Sequence, residues 1–238
     1  MTTELKTRYL RVLEEIEQAA QSAGRQPEQI DLVVVTKGHP AKAIEELFQL
    51  GARQVGENRL AEGLEKQIQL SHLADLTWHM IGHVQSRKAA DIAGKFSLIH
   101  SLDSVKLARR LDRFASQAGI TQEVLLQFNT SGEASKFGFN ALQGQLFPEM
   151  ITAIEEILSC THLRLRGLMT MAPYSPDPED ARPAFSALRR LQDSLAQRFS
   201  HTDWSQLSMG MSADFQVAIQ EGATLLRIGT AIMGPIKI

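Results

Sequence analysis

The chain has 238 residues, of which 43% are hydrophobic, a formal net charge of −2 and one cysteine, Cys160. This length allows one large hydrophobic core or two small ones. The near-neutral charge disfavours nucleic acid and acidic membranes as partners, and a lone cysteine excludes an intramolecular disulfide. No apolar run approaches the ~20 residues that span a bilayer, and the N-terminus has no signal-peptide core, so we expect a cytoplasmic protein without membrane contact.

Strands and helices are predicted to alternate along the whole chain. An amphipathic stripe indicates a leading helix over 4–23. The β-branched run over 30–36 is typical of a strand covered on both faces, and Lys37 follows it. Seven further strands are predicted at 53–56, 77–82, 96–102, 123–128, 163–169, 204–209 and 223–228.

Helices are predicted between these strands. The helix after the second strand has Leu60, Leu64 and Ile68 on one side, and a helical stretch covers 84–93. The other helices are predicted to begin near Pro40, Ser104, Pro148, Pro183 and Ser212.

The succession of eight strand-then-helix units predicts the fold. It indicates an α/β protein, a closed (β/α)8 TIM barrel with an extra N-terminal helix. A doubly wound open sheet is the alternative. We expect residues 1–238 to form a single domain.

The loops after the seventh and eighth strands form a candidate phosphate site, because this architecture usually binds phosphate there. The first loop contains Met209, Gly210 and Ser212, and the second contains Gly229 and Thr230. Ser212 is suited to cap the helix that follows, and the glycines let backbone N–H groups approach an anion. Either loop alone is better explained as a turn with a cap. Together, on adjacent strands, they predict a phosphate site.

Lys37 follows the first strand at the same end of the barrel. Burial there would desolvate the amine and favour its neutral, nucleophilic form. An ion pair with Glu57 is an equally good interpretation of the sequence. A nucleophilic amine beside a phosphate site nevertheless suggests a phosphorylated aldehyde cofactor, and pyridoxal 5'-phosphate meets both requirements.

Seven segments occur in order along nearly the whole chain. They are VVVTKGHP, QVGENRLAEGLEK, TWHMIGHVQSRK, NTSGEASKFGF, LRGLMTMAP, LSMGMSADF and RIGTAIMG. Together they resemble the pyridoxal phosphate homeostasis family, which is related to the barrel domain of alanine racemase. The resemblance implies a fold type III pyridoxal phosphate protein in which Lys37 forms a Schiff base with the cofactor. The implied cofactor-binding residues are Lys37, Asn58, Met209, Gly210, Ser212, Arg227, Gly229 and Thr230.

The resemblance also bears on whether the protein is an enzyme. Arg227 would donate to the pyridine nitrogen, which must then stay unprotonated and makes the ring a weaker electron sink. Alanine racemase adds a tyrosine from a second domain, whereas Tyr9 and Tyr174 are the only tyrosines here. We therefore expect a cofactor carrier or buffer in pyridoxal phosphate homeostasis, without robust catalysis and without an assigned catalytic residue. A weak amino-acid racemase is the alternative.

Some residues near the mouth depart from the family pattern. The family usually has G-x-L-Q-x-N-K after the third strand, and here the sequence is GHVQSRK, with changes at His83, Val84 and Arg87. His39 follows the cofactor lysine without an evident partner, and His79 and His83 lie across a strand end, so no metal site is predicted. The expected partners are pyridoxal phosphate and the apoenzymes that use it, and a monomer is expected.

Overall fold

The computed structural model describes residues 3–133, 136–141 and 144–236. Its strands are β1 (Asp31–Val35), β2 (Gln54–Glu57), β3 (Thr77–Met80), β4 (Leu98–Leu102), β5 (Gln122–Asn129), β6 (Phe139–Asn140), β7 (Leu163–Met169), β8 (Gln206–Ser208) and β9 (Leu225–Ile228). Its α-helices are α1 (Thr3–Ser22), α2 (Ala41–Gln49), α3 (Leu60–Gln69), α4 (Ala89–Ile92), α5 (Val105–Gln117), α6 (Pro148–Leu158), α7 (Arg182–Arg198), α8 (Phe215–Gln220) and α9 (Thr230–Met233).

Eight parallel strands form a closed barrel. Their order is β4-β3-β2-β1-β9-β8-β7-β5, and pairing of β4 with β5 closes the ring. The predicted TIM barrel is therefore confirmed, and the open doubly wound sheet is excluded because it would leave two strand edges unpaired. The predicted strands are all present, with ends that differ by no more than two residues from the prediction. The short β6 pairs only with the end of β5, outside the ring.

Side chains alternate between two apolar regions along the barrel strands. Outward-pointing residues such as Val34 and Leu226 pack with the surrounding helices in the main core. Inward-pointing residues form a smaller cluster inside the barrel, which consists of Val33, Leu98, Leu125, Met169 and Leu225. The barrel is thus filled by side chains at this level, and a ligand cavity can open only at its end.

The leading helix α1 closes one side of the barrel against α8 and α9. The Nε atom of Arg8 donates a hydrogen bond of 2.7 Å to the carbonyl oxygen of Ile232. This contact ties the first helix of the chain to the helix that follows β9.

Two helical predictions differ from the structure. The stretch over 84–93 forms a 3-10 turn at Ser86–Lys88 and the single-turn helix α4. In α3 the predicted apolar side is turned partly outward, since Ile68 is 77% exposed. The buried positions of α3 are Gly63 and Lys66. A Cβ at Gly63 would lie 3.1 Å from the Phe96 ring, so the helix approaches the barrel along its glycine side and brings a lysine inward.

Candidate functional site

One cavity of about 290 Å³ opens at the C-terminal end of the barrel. The segments that follow β1, β2, β3, β7, β8 and β9 contribute to its wall. Six of the predicted site residues line it, namely Lys37, Asn58, Ser212, Arg227, Gly229 and Thr230. The fold therefore gathers the amine, the amide, the guanidinium and both glycine-containing loops around one space.

The other two predicted site residues, Met209 and Gly210, lie outside the cavity lining. Met209 is fully buried in the main core. Gly210 has φ +93°, and a Cβ there would lie 2.6 Å from the Cβ of Ala218. A glycine is thus required by close packing under α8 and by the left-handed backbone, which is a different reason from approach of a ligand.

The loops after β8 and β9 are tied to each other. The backbone N–H of Ala231 donates to Oγ of Ser212 at 3.2 Å. The prediction that Ser212 caps the following helix is wrong, because α8 begins at Phe215 with Asp214 as the N-cap residue. A carboxylate oxygen of Asp214 accepts instead from the N–H of Met211 at 2.6 Å.

The loops after β8 and β9 contain backbone N–H groups that are free to bind a ligand. Within the described residues, no acceptor is found for the N–H groups of Ser212, Ala213 and Thr230, which line the cavity. Ser212 is half-buried, and Ala213 and Thr230 are exposed, so water can reach these groups in the absence of a ligand. Clustered N–H groups of this kind suit an anion such as phosphate. Asn58 also lines the cavity, and its buried Oδ1 has no hydrogen-bond partner among the described residues.

Lys37 lies in the turn between β1 and α2. Its side chain is exposed, so the predicted desolvation by burial in the protein is wrong. The strand ends at Val35, two residues before the lysine, and Gly38 follows with φ +72°. The alternative of an ion pair with Glu57 is also wrong, since that carboxylate accepts from Lys66 at 2.7 Å and from Thr36 at 2.6 Å.

Four buried side chains form a hydrogen-bonded row inside the barrel, the lumen chain, which consists of His79, His100, Ser208 and Arg227. Nδ1 of His79 lies 2.9 Å from Nε2 of His100, whose Nδ1 lies 2.8 Å from Oγ of Ser208. Arg227 donates through Nη1 to the same Oγ, and through Nη2 to the carbonyl oxygen of Thr170 at 2.8 Å. The row links β3, β4, β8 and β9 directly across the barrel.

The charges in the lumen chain follow from the donors and acceptors of its members. An arginine has donors and no acceptor, so Ser208 Oγ accepts from the guanidinium. The two contacts of His100 are satisfied when its ring donates through one nitrogen and accepts through the other, which a neutral imidazole does. In this arrangement both histidines are neutral, and Arg227 is the only cation in the row.

The pKa shifts agree with this assignment. Burial lowers the pKa of His79 to about 4. Burial, and then the neighbouring His79 and Arg227, hold the pKa of His100 well below its ordinary value. Burial also lowers the pKa of Arg227 to about 10, an effect that Asp214 opposes. Arg227 thus remains protonated at neutral pH and presents N–H donors to the cavity that it lines.

Sequence patterns did not reveal the contacts within the lumen chain, and they did not place Tyr174 at the cavity. His100 lies two residues from Leu98 in a predicted strand, so alternation places both on the inner face, but its partners belong to strands distant in sequence. Tyr174 is 93% exposed on the segment that follows β7, and it lines the outer part of the cavity. No local pattern marks a loop residue of this kind.

His83 and His39 lie outside the lumen chain. His83 lies 3.0 Å from the carboxylate of Asp103 and stacks on Phe137. Burial lowers the pKa of His39, as do the nearby charges of Lys66 and Arg8. Over residues 3–133, 136–141 and 144–236, no three His, Cys, Asp or Glu side chains are grouped so that they could hold a metal ion.

Comparison with known proteins gives the family. The model of the family "Alanine racemase, N-terminal domain" matches residues 11–236. The pyridoxal phosphate homeostasis protein of Aquifex aeolicus is 42% identical over 231 residues, which are 97% of both chains. The chain belongs to the pyridoxal phosphate homeostasis protein family. A second member, from Vibrio cholerae, is 40% identical over 92% of this chain and 91% of its own.

Solved structures agree with this family and its fold. PipY of Synechococcus elongatus, solved with PLP bound, superposes with a TM-score of 0.80 at 35% identity over 92% of this chain and 99% of its own. The alanine racemase of Clostridium difficile has a TM-score of 0.74 at 15% identity and covers 97% of this chain, but only 56% of its own length is matched. That second likeness concerns the fold alone. None of the helices in the described part of the chain has the length and apolar character of a membrane span.

Proposed function

We propose that this member of the pyridoxal phosphate homeostasis protein family binds pyridoxal 5'-phosphate as a Schiff base on Lys37. The observation that carries the proposal is the convergence of an amine, a set of unpaired N–H groups and a buried arginine on one cavity. When bound, the cofactor supplies an aldehyde that condenses with amines and a ring that withdraws electrons. The whole chain, residues 1–238, forms one cofactor-binding domain in this proposal.

The residues have separate roles in the proposed complex. Ser212, Gly229 and Thr230 hold the phosphate, because all three line the cavity and the N–H groups of Ser212 and Thr230 have no acceptor among the described residues. Asn58 lines the cavity and offers its side-chain amide to the ligand. Met209 and Gly210 act on the phosphate loop indirectly, through packing under α8.

Arg227 determines how the ring behaves. Two of its N–H groups are already used by Ser208 and Thr170, which fixes the guanidinium plane, and the others remain for the cavity. A guanidinium cannot accept a proton from the pyridine nitrogen, so the ring nitrogen stays unprotonated beside it. The residue therefore weakens the electron-withdrawing capacity of the ring and disfavours rapid turnover.

The physiological role in this proposal is that of a carrier or buffer. The protein acts in the cytoplasm as a monomer that stores pyridoxal phosphate and yields it to apoenzymes, with an effect on amino-acid and keto-acid pools and without robust catalysis. The exposed position of Lys37 supports this role, because water and an incoming amine can reach a cofactor held there.

An absorbance measurement tests this function. Purified protein incubated with pyridoxal phosphate is expected to gain the visible band of a Schiff base, and borohydride is expected to remove it. The Lys37→Ala protein should show only the spectrum of the free aldehyde. Retention of the band in Lys37→Ala would contradict the proposal, and Lys42→Ala, which changes an exposed lysine on α2, is the matched control.

One observation favours a second candidate, the weak amino-acid racemase. Tyr174 lines the cavity and offers a phenol that can exchange a proton with a bound amino acid. Incubation of L-alanine and L-serine with the loaded protein, followed by measurement of the D-isomers, distinguishes the two functions. The carrier proposal predicts turnover well below the ~1 s⁻¹ at the lower end of ordinary enzymes. A faster rate that is lost in Tyr174→Phe would establish the racemase instead.

A further inference from the structure

The turn that carries Lys37 is held by a buried charged cluster that belongs neither to the cavity lining nor to the lumen chain. This cluster, the lysine brace, consists of Glu57, Glu62 and Lys66. The side chain of Lys66 is only 6% exposed, and its ammonium group has three acceptors. They are the carbonyl oxygen of Thr36 at 2.8 Å, Oε1 of Glu57 at 2.7 Å and Oε1 of Glu62 at 2.7 Å. An ammonium has three N–H donors, so Lys66 is fully paired.

The brace contacts the backbone on both sides of Lys37. The carbonyl oxygen that Lys66 holds belongs to Thr36, the residue immediately before Lys37. The N–H of Gly38, the residue immediately after it, donates to Oε1 of Glu62 at 2.5 Å. The Thr36 carbonyl oxygen also accepts from the N–H of His39 at 3.1 Å. These hydrogen bonds restrain the backbone on both sides of Lys37 and with it the direction of the Cα–Cβ bond, whereas the side chain is exposed.

The remaining contacts of the brace make it stiff. Oε1 of Glu57 also accepts from the hydroxyl of Thr36 at 2.6 Å, and the Glu57 side chain is fully buried at the end of β2. Burial raises the pKa of Glu57, although hydrogen bonds from Lys66 and Thr36 oppose that shift. Burial would also raise the pKa of Glu62, but its hydrogen bonds from Lys66 and Gly38 outweigh burial and lower it. A buried ion cluster is weak evidence for stability and better evidence for a defined geometry.

We propose that Lys66 and Glu62 are positioning residues that hold the Thr36–Gly38 turn so that the Lys37 amine is directed into the cavity. The inference rests on the proposed function of Lys37. In that reaction the amine nitrogen of Lys37 adds to the aldehyde carbon of the cofactor, a carbon–nitrogen double bond forms, and the aldehyde oxygen leaves as water. The brace sets the direction from which the amine nitrogen approaches the aldehyde carbon, and it contacts neither of these two atoms.

The test uses the variants Lys66→Met and Glu62→Ala in the full chain. The matched controls are Lys106→Met on α5 and Glu65→Ala on α3, which change exposed residues of the same types. Two ligands are compared. Pyridoxal phosphate reports the rate of Schiff base formation, and pyridoxine 5'-phosphate, which has an alcohol in place of the aldehyde, reports non-covalent binding at the same cavity.

Positioning predicts a split between the two ligands. Both brace variants should slow Schiff base formation by about tenfold or more, because small misplacement of a reacting group costs one to two orders of magnitude in rate. Their affinity for pyridoxine phosphate should equal that of the controls. The inference would be overturned if Glu62→Ala formed the Schiff base at the wild-type rate. It would also be overturned if folded variant protein lost affinity for pyridoxine phosphate by the same factor as its rate of Schiff base formation. Glu62 is partly exposed, so Glu62→Ala decides the matter if Lys66→Met does not fold.

Hydrogen exchange at the Gly38 amide gives a readout without any cofactor. The inference predicts that Glu62→Ala exchanges this proton at least about tenfold faster than the wild type or Glu65→Ala, since its acceptor is lost. Unchanged exchange would overturn it. If the wild-type protein forms no Schiff base on Lys37, the proposed function fails, and this amide alone then decides whether the brace holds the turn.

Discussion

The lumen chain and the Lys37 turn meet at one cavity but are built in different ways. In the lumen chain every residue is buried and the hydrogen bonds run from side chain to side chain across four strands. In the Lys37 turn the brace holds the backbone, and the lysine itself is exposed. The cavity wall at Arg227 is thus fixed by buried hydrogen bonds, whereas the Lys37 side chain is exposed. Such a division suits the proposed uptake and release of a cofactor.

Acid titration of the lumen chain should give the largest effect on stability. Folding lowers the pKa of His79 to about 4 through burial, whereas an unfolded histidine titrates near ~6.5. A group with a depressed folded pKa stabilises the fold above its unfolded pKa, and that contribution is lost as the pH falls through the folded value. As the pH falls from the unfolded to the folded pKa, protonation of His79 should therefore lower the free energy of unfolding by about 3 kcal/mol.

Urea unfolding at several pH values checks this prediction. The loss should be reduced in His79→Gln and unchanged in His201→Gln, in which an exposed histidine is replaced. Equal pH dependence in the wild type and His79→Gln would show that His79 is not held neutral by the fold.

The Ser208→Ala change should have the next largest effect. It removes the hydroxyl that joins Arg227 to His100, and both partners then lack a hydrogen bond in a buried site. The expected cost is about 2 kcal/mol in the free energy of unfolding, because buried unpaired groups retain their desolvation penalty. Ser116→Ala, an exposed change on α5, should be close to neutral in the same urea experiment. If Ser208→Ala and Ser116→Ala lower the free energy of unfolding equally, the hydrogen bonds of the lumen chain do not stabilise the fold.

The smallest expected effect on stability is that of a substitution at Lys37. Lys37→Ala should alter the free energy of unfolding of cofactor-free protein by no more than about 0.5 kcal/mol, since the side chain is exposed. The same urea measurement, made alongside Ser208→Ala, sharpens the contrast between the two regions. A large destabilisation by Lys37→Ala would mean that the lysine supports the fold as well as the site.

The fold was predictable from the sequence because its signal repeats. A strand pattern followed by a helix pattern recurs eight times along the chain, beginning with the β-branched run over 30–36, and eight such units leave few alternatives. The meeting of the loops after β8 and β9 at one cavity was also predictable, because they follow adjacent strands of the predicted barrel. These features are local, and local patterns are what a single sequence reports.

The partners of individual side chains were less predictable. Lys66 occupies a helical position that looks like an exposed one, and only the end of β2 and the turn after β1 supply its acceptors. Lys37 was expected to be buried because an apolar strand precedes it, but the strand ends two residues earlier. Ser212 was expected to cap α8, whereas its hydroxyl reaches the neighbouring loop. Each of these contacts depends on where strands distant in sequence meet.

The central proposal is that Lys37 is the residue that takes the cofactor. The most direct measurement is mass spectrometry of a tryptic digest after incubation with pyridoxal phosphate and reduction with borohydride, which converts the Schiff base into a stable secondary amine. We predict one pyridoxyl group, attached to Lys37, in the peptide that includes the turn after β1. A pyridoxyl group on a different lysine, with Lys37 unmodified, would contradict it.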